Sequence, residues 1–252
     1  MPDVQEISAF FDSLYPYDNK MDFDNVGLLC GSPEREVKTV LIALDITPEV
    51  IEEALSLGAE LIVSHHPVIF QPLRRVLDTE AEGCAVASLL RSNLSAICLH
   101  TNLDVAADGV NAVLAQAVGA EVEEMLPCGC IARLDESVSM RDFVLAVKDS
   151  LHSNALRWYD AFRPVRRIAI CGGAGGELAE EARALGCDTV LTGELRHHQW
   201  LRGKEESINL IEAGHFETEH PVTERLAEVL HQAYSELRIE ISKNERVVYR
   251  GV

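Results

Sequence analysis

The sequence predicts an α/β protein of two similar α/β domains from an internal duplication, with mainly parallel central sheets flanked by helices. Three observations lead there. Short apolar runs alternate with helical patterns along the whole chain, the mark of βα units feeding a parallel sheet. VLIALDITPEVIEEALSLGAELIVS (40–64) lies without a gap on IAICGGAGGELAEEARALGCDTVLT (168–192), a shift of 128 residues. The 252 residues, 47% hydrophobic and 25% charged, suffice for two cores without staples.

The elements follow in order. KTVLIALD (38–45) reads as a buried strand and PEVIEEALSLG (48–58) as an amphipathic helix closed by Gly58. AELIVS (59–64) is the next strand, followed by a helix over 81–91, a strand LSAICL (94–99) and a helix around 109–118. Between the halves, CGCIARL (128–134) and ALRWYD (155–160) are strand-like and flank a helix from Met140 to His152. A shift of 115 lays His100 on His215 and Asp104 on Glu219, extending the repeat. The tail reads as a helix over 220–236, then RIEIS (238–242) and RVVYR (246–250) joined by a hairpin turn at 243–245. Expected domains are 1–127 and 128–252, with the segment 217–252 packing back on the first.

Charge narrows the partners. Asp and Glu number 41 against 22 Lys and Arg, so a phosphate backbone or an anionic membrane meets a repulsive mean field that only a bound metal reverses locally. No apolar run is long enough to cross a bilayer, and the acidic opening MPDVQEISAFFDSLY has no basic region of the kind a signal peptide needs. Seven cysteines, an odd number without a CxxC pair, predict a reducing, cytoplasmic setting with no disulfide framework.

Five side chains follow predicted strands: His65 and His66 in AELIVSHHP, Asp104 in LHTNLD, His215 and Glu219 in AGHFETEHP. Singly, each has a plain structural account. A histidine after a strand commonly completes a loop, and Thr218 and Glu219 ahead of Pro221 suit a helix cap. Jointly, they sit where open α/β sheets bind ligands, and adjacent imidazoles after an apolar strand have no packing purpose. Imidazole plus carboxylate suits zinc, iron, manganese or cobalt, and the lack of a cysteine cluster argues against a closed structural zinc site. Three histidines and two acids exceed the needs of one catalytic zinc. They fit two divalent ions with one bridging carboxylate and a hydroxide held between them as nucleophile, the arrangement of metal-assisted hydrolysis.

FDNVGLLCG (23–31), LDITPEVIEEAL (44–55), SHHPVIFQPLRRV (64–76), HTNLD (100–104), TGELRHH (192–198) and GHFETE (214–219) resemble the YbgI-like family, also called the Nif-three-like family or the GTP cyclohydrolase 1 type 2 homologs. The resemblance implies a Nif-three-like fold, a dinuclear centre on His65, His66, Asp104, His215 and Glu219 with Glu219 bridging, and a toroidal homohexamer. Glu219 and His100 are then the candidate catalytic residues, His100 orienting Asp104 or a bound small-molecule or nucleotide-like substrate. Glu194, His197, His198 and Asn25 are placed near the cavity by the same resemblance. The leading expectation is a metal-dependent hydrolase. The alternatives are a non-enzymatic, metal-dependent oligomeric scaffold or regulator, and a nucleotide-binding module using the Gly-rich turn CGGAGGE (171–177).

Overall fold

The computed structural model describes residues 1–247. Contacts divide the chain into two units, one formed by 1–103 with 223–246 and the other by 104–222.

The first unit opens with α1 (Val4–Leu14), started by a reciprocal capping box between Asp3 and Glu6 that satisfies two orphan amides. There follow β1 (Gly27–Cys30), β2 (Thr39–Ala43), α2 (Pro48–Leu57), β3 (Leu61–Ser64), α3 (Ala81–Arg91), β4 (Ser95–Cys98) and the one-turn α4 (Thr101–Asp104), which ends at the start of the second unit. Gly58 ends α2 in the left-handed region, as the sequence predicts, and at its start Thr47 caps it and Pro48 opens it. Every residue of β2, β3 and β4 is buried, the pattern of parallel strands covered on both faces.

The second unit holds α5 (Val110–Ala117), β5 (Glu121–Met125), β6 (Cys130–Val138), α6 (Met140–Ser150), β7 (Arg157–Tyr159), β8 (Val165–Cys171), α7 (Leu178–Glu181), β9 (Thr189–Thr192), α8 (His197–Glu206), β10 (Asn209–Glu212) and α9 (His215–Glu219). The chain then passes along α10 (Val222–Ala233) to β11 (Arg238–Ile241), which pairs in parallel with β2 in the first unit's sheet.

The first sheet runs β1-β4-β3-β2-β11, with β1 antiparallel to β4 and the rest parallel. The second runs β5-β6-β8-β9-β10-β7; its central β8, β9 and β10 are parallel, and antiparallel β5, β6 and β7 extend the edges. The order β1-β4-β3-β2 recurs as β7-β10-β9-β8 with the same directions. Val40 opposite Leu61 becomes Ile168 opposite Thr189, the register of a 128-residue shift. This correspondence supports duplication. In the third strands, Leu61 opposite Ser95 becomes Thr189 opposite Asn209, a shift of 114 rather than 115. His100 and His215 are therefore one position out of step after their strands.

The predicted strand 246–250 lies mostly outside the described residues, and Arg246 and Val247 are not in a strand. Glu245, read as a turn residue, sends its carboxylate to the Leu44 and Asp45 amides just past the end of β2 (2.7–2.9 Å). Among the described residues no helix is long and apolar enough to cross a membrane.

Candidate metal centre

In the first unit, topology brings distant residues to one sheet end. Parallel neighbours β2, β3 and β4 deliver Asp45, the pair His65–His66 and His100 to their shared carboxyl edge. The antiparallel β1 starts there, Gly27 opposite Cys98, so Asp24 arrives as well. The ladder continues past β3, His65 N–H donating to Ala43 and His66 N–H to Leu44, so both histidines stand on rigid backbone. Donor atoms of His65, His66 and His100 lie within 4.8 Å of one another, and their ring centroids are 5.0–5.6 Å apart.

Each ring is held by Nδ1. His65, fully buried, donates from Nδ1 to the Leu99 carbonyl (2.8 Å), since a carbonyl only accepts, and this fixes the orientation of its ring. His66 Nδ1 meets Asp45 Oδ1 and His100 Nδ1 meets Asp24 Oδ1, each at 2.8 Å. Metal-binding histidines are typically oriented in this way. Burial pushes the Asp24 carboxyl up, but hydrogen bonds from His100 and Thr101 outweigh it and hold the group well below the usual carboxylate range. Asp24 is therefore a fixed negative charge under His100. Phe70 stands edge-on to His100 at 6.0 Å and to Phe23 at 6.2 Å, giving the cluster a partly exposed aromatic border.

The second unit has its own pair. His215 opens α9, and the i,i+4 spacing puts Glu219 on the same face, Nε2 to Oε2 at 3.1 Å. Its Nδ1 meets Glu194 Oε1 at 2.8 Å, just past β9. Two glycines make room. Gly173 has φ +58°, and a Cβ there would stand 2.1 Å from Glu219 Oε1. A Cβ on Gly193 would stand 2.8 Å from His215 Cα and 2.6 Å from the Gly173 carbonyl. A cleft of ≈ 390 Å³ beside His215 is lined by Arg157, Glu194 and Glu212 among others.

Asp104 ends α4 four residues past His100, half-buried, its carbonyl accepting from Asn111. Glu194 touches His215, whereas His197 and His198 are exposed on the first turn of α8. Asn25 ties a loop, donating to the Ile69 carbonyl. Asp24 and Asp45 were missed as site residues. Asp45 carried the usable signal, a carboxylate after a buried strand; Asp24 follows no strand. Three amides of the Gly-rich turn are spent internally: Gly172 on Asn111 Oδ1, Gly173 on Thr218 Oγ1 and Gly175 on Thr192 Oγ1. These bonds support the reading of a tight strand–helix turn.

Comparisons with known proteins agree with this architecture. The family model described as Duf34/NIF3 (NGG1p interacting factor 3) matches residues 2–246. A Campylobacter jejuni protein named GTP cyclohydrolase 1 type 2 homolog is 32% identical over 243 residues, covering 96% of this chain and 97% of the relative. A Clostridium perfringens protein of the same name is 30% identical over 254 residues, with coverage of 96% and 97%. The crystal structure of the Staphylococcus aureus hypothetical protein SA1388 superposes with TM-score 0.92 at 26% identity over 99% of both chains. The ybgI protein, at 21% identity, shares the fold with TM-score 0.89 over 97% of this chain and 99% of its own. With nearly its whole length matched, the chain belongs to the DUF34/NIF3 family.

Proposed function

We propose that the protein is a metal-dependent hydrolase that holds two divalent ions through His65, His66, Asp104, His215 and Glu219. One observation carries this. In His65, His66 and His215, Nδ1 is engaged at 2.8 Å by a carbonyl or carboxylate, the arrangement by which metal-binding histidines are commonly oriented with Nε2 toward the ion. Neutral imidazole nitrogens with carboxylates fit zinc, iron, manganese or cobalt. A divalent cation held by these residues would supply Lewis acidity for hydrolysis.

The chain's own groups do the rest. Asp24, Asp45 and Glu194 fix the rings, so little reorganisation accompanies binding. His100, its Nδ1 on Asp24, holds or moves a proton at Nε2 on bound substrate. Glu219, 5% exposed, keeps its carboxylate in a sheltered setting. Phe70 stands edge-on to His100 and offers an apolar contact beside it. The relatives' name, GTP cyclohydrolase 1 type 2 homolog, supports a small-molecule or nucleotide-like substrate. A ring-shaped homohexamer and a cytoplasmic setting belong to the same proposal, the second supported by the free thiols.

The test is elemental analysis of protein purified without chelators, followed by turnover of GTP, phosphoesters and cyclic amides by the metal-loaded chain. Two ions per chain are expected, lost in His65→Ala and Glu219→Ala with the circular dichroism spectrum retained. Failure to bind any of the four metals overturns the proposal; tight binding without turnover of any substrate favours the non-enzymatic scaffold. Mass measurement in solution decides the hexamer.

A further inference from the structure

Two of the seven cysteines lie side by side in the second unit, and neither is among the groups proposed to hold metal. Cys128 is in the turn between β5 and β6, where Leu126 N–H donates to the Gly129 carbonyl, and it is exposed. Cys171 ends β8 and is buried. Cys130 pairs with Ile170 in the antiparallel ladder, so Gly129 falls next to Cys171. Gly129 has φ +107°, and a Cβ there would stand 3.3 Å from the Cys171 Cβ. With that position bare, the Cys128 side chain turns back over β8, and the two Sγ atoms are 3.5 Å apart.

The two thiols differ in character. The hydrogen bond with Cys171 favours the Cys128 thiolate and sets its pKa below the ordinary thiol value, against burial and the charges of Asp104, Glu177 and Glu181. The same hydrogen bond, with burial, pushes Cys171 up and keeps it protonated. A low-pKa accessible thiol beside a protonated partner is the arrangement of a peroxide-reactive cysteine and its resolving cysteine. A cleft of ≈ 210 Å³ lined by Leu126, Pro127, Cys128, Gly175, Glu177 and Glu181 reaches Cys128. Its two carboxylates repel anions and admit a small neutral oxidant.

We propose that Cys128 and Cys171 form a thiol-oxidation site whose co-reactant is a hydroperoxide. The Cys128 thiolate attacks the peroxide: an S–O bond forms, the O–O bond breaks, and the departing oxygen takes a proton to leave as water or alcohol. Cys171 Sγ then attacks Cys128 Sγ. The S–S bond forms, the S–O bond breaks, and hydroxide leaves as water with the Cys171 proton. Two thiols are oxidised and one peroxide is reduced. Closing from 3.5 Å to a disulfide bond asks about 1.5 Å of movement, which the exposed turn at Cys128 provides.

The test treats the full chain with limiting hydrogen peroxide, quenches with an alkylating agent and maps the peptides by tandem mass spectrometry. Two thiols per chain should be lost to one Cys128–Cys171 cross-link that dithiothreitol reverses. In Cys171→Ser, dimedone should label Cys128; in Cys128→Ser, Cys171 should stay unmodified. The half-buried Cys84 serves as the internal reference thiol. Oxidation of Cys84 as fast as Cys128, cross-linking to another cysteine, or no dimedone adduct in Cys171→Ser would overturn the proposal. The wild-type map needs no variant to fold.

Discussion

His100 Nδ1 lies 2.8 Å from Asp24 Oδ1, and the other oxygen of that buried carboxylate accepts from both the amide and the hydroxyl of Thr101. One acid thus sets the orientation of the imidazole and the start of α4. Asp24→Asn keeps one acceptor and turns an NH2 group toward two donors. It should cost about 1–3 kcal/mol of stability for the unsatisfied buried groups. If His100 belongs to the metal centre, affinity should fall roughly 10–100-fold, as for other groups that orient metal ligands. Denaturant melts and chelator competition read the two effects separately. Unchanged metal affinity with lowered stability would place His100 outside the groups that hold metal.

Gly173 offers a second, steric handle. A methyl group there meets Glu219 Oε1 at 2.1 Å, in backbone with φ +58°. Gly58 has a similar φ of +69° but open space around a Cβ. Gly58→Ala should therefore cost only backbone strain, about 1 kcal/mol, while Gly173→Ala adds displacement of Glu219 and should lose more. The difference between the two melts isolates the clash. Metal binding weakened in Gly173→Ala and unchanged in Gly58→Ala is the expected result.

Much of this was legible because buried parallel strands are hard to disguise. The apolar runs that became β2, β3 and β4 stand out, and two adjacent histidines directly after β3 have no packing explanation, so His65 and His66 could be singled out. Other elements lacked such a signal. β5 reads EVEEM and is mostly exposed, since edge strands carry charge rather than apolar alternation. β1 is short, half-buried and flanked by glycines. Asp24 reaches His100 only because β1 runs antiparallel beside β4, a pairing across 76 residues that no local pattern encodes. Sequence reasoning stopped one residue away, at Asn25. The one-residue slip between the third strands of the two sheets was likewise invisible until their registers were compared.

The first unit should have an alkaline limit set partly by Tyr17. Its hydroxyl is hydrogen-bonded to Ser8, its ring closes on Gly27, and burial pushes its pKa up to about 12 from 10.0. A raised folded-state value means the folded protein holds the proton more tightly. That stability is complete below about pH 10 and is lost as pH rises from there toward about 12. The loss amounts to roughly 2–3 kcal/mol across the window. Tyr17→Phe should flatten this limb while costing about 1 kcal/mol at neutral pH for the lost hydrogen bond. Equilibrium unfolding at several alkaline pH values, with tyrosinate absorbance alongside, checks it. An equally steep decline in Tyr17→Phe would assign the alkaline limb to other groups.

Metal binding itself should be visible as stability without refolding. The histidines stand past the ends of β3 and β4, outside the buried strands, so chelation should leave the far-ultraviolet circular dichroism spectrum unchanged. A ligand that binds only the folded state at a hundred times its Kd adds about 2.7 kcal/mol. For a chain of this size that corresponds to a rise in Tm of roughly 5–10 °C. His66→Ala removes a donor that is only partly buried, so its apo form should melt near the wild type while most of the metal-induced rise disappears. Asp45→Asn should give an intermediate rise, because the ring remains but its orientation is no longer fixed by a charge. Melts of apo and metal-loaded protein, for the wild type and both variants, form one comparison. A rise that survives intact in His66→Ala would mean the metal binds elsewhere, and a change in circular dichroism on chelation would mean it builds the fold rather than a site upon it.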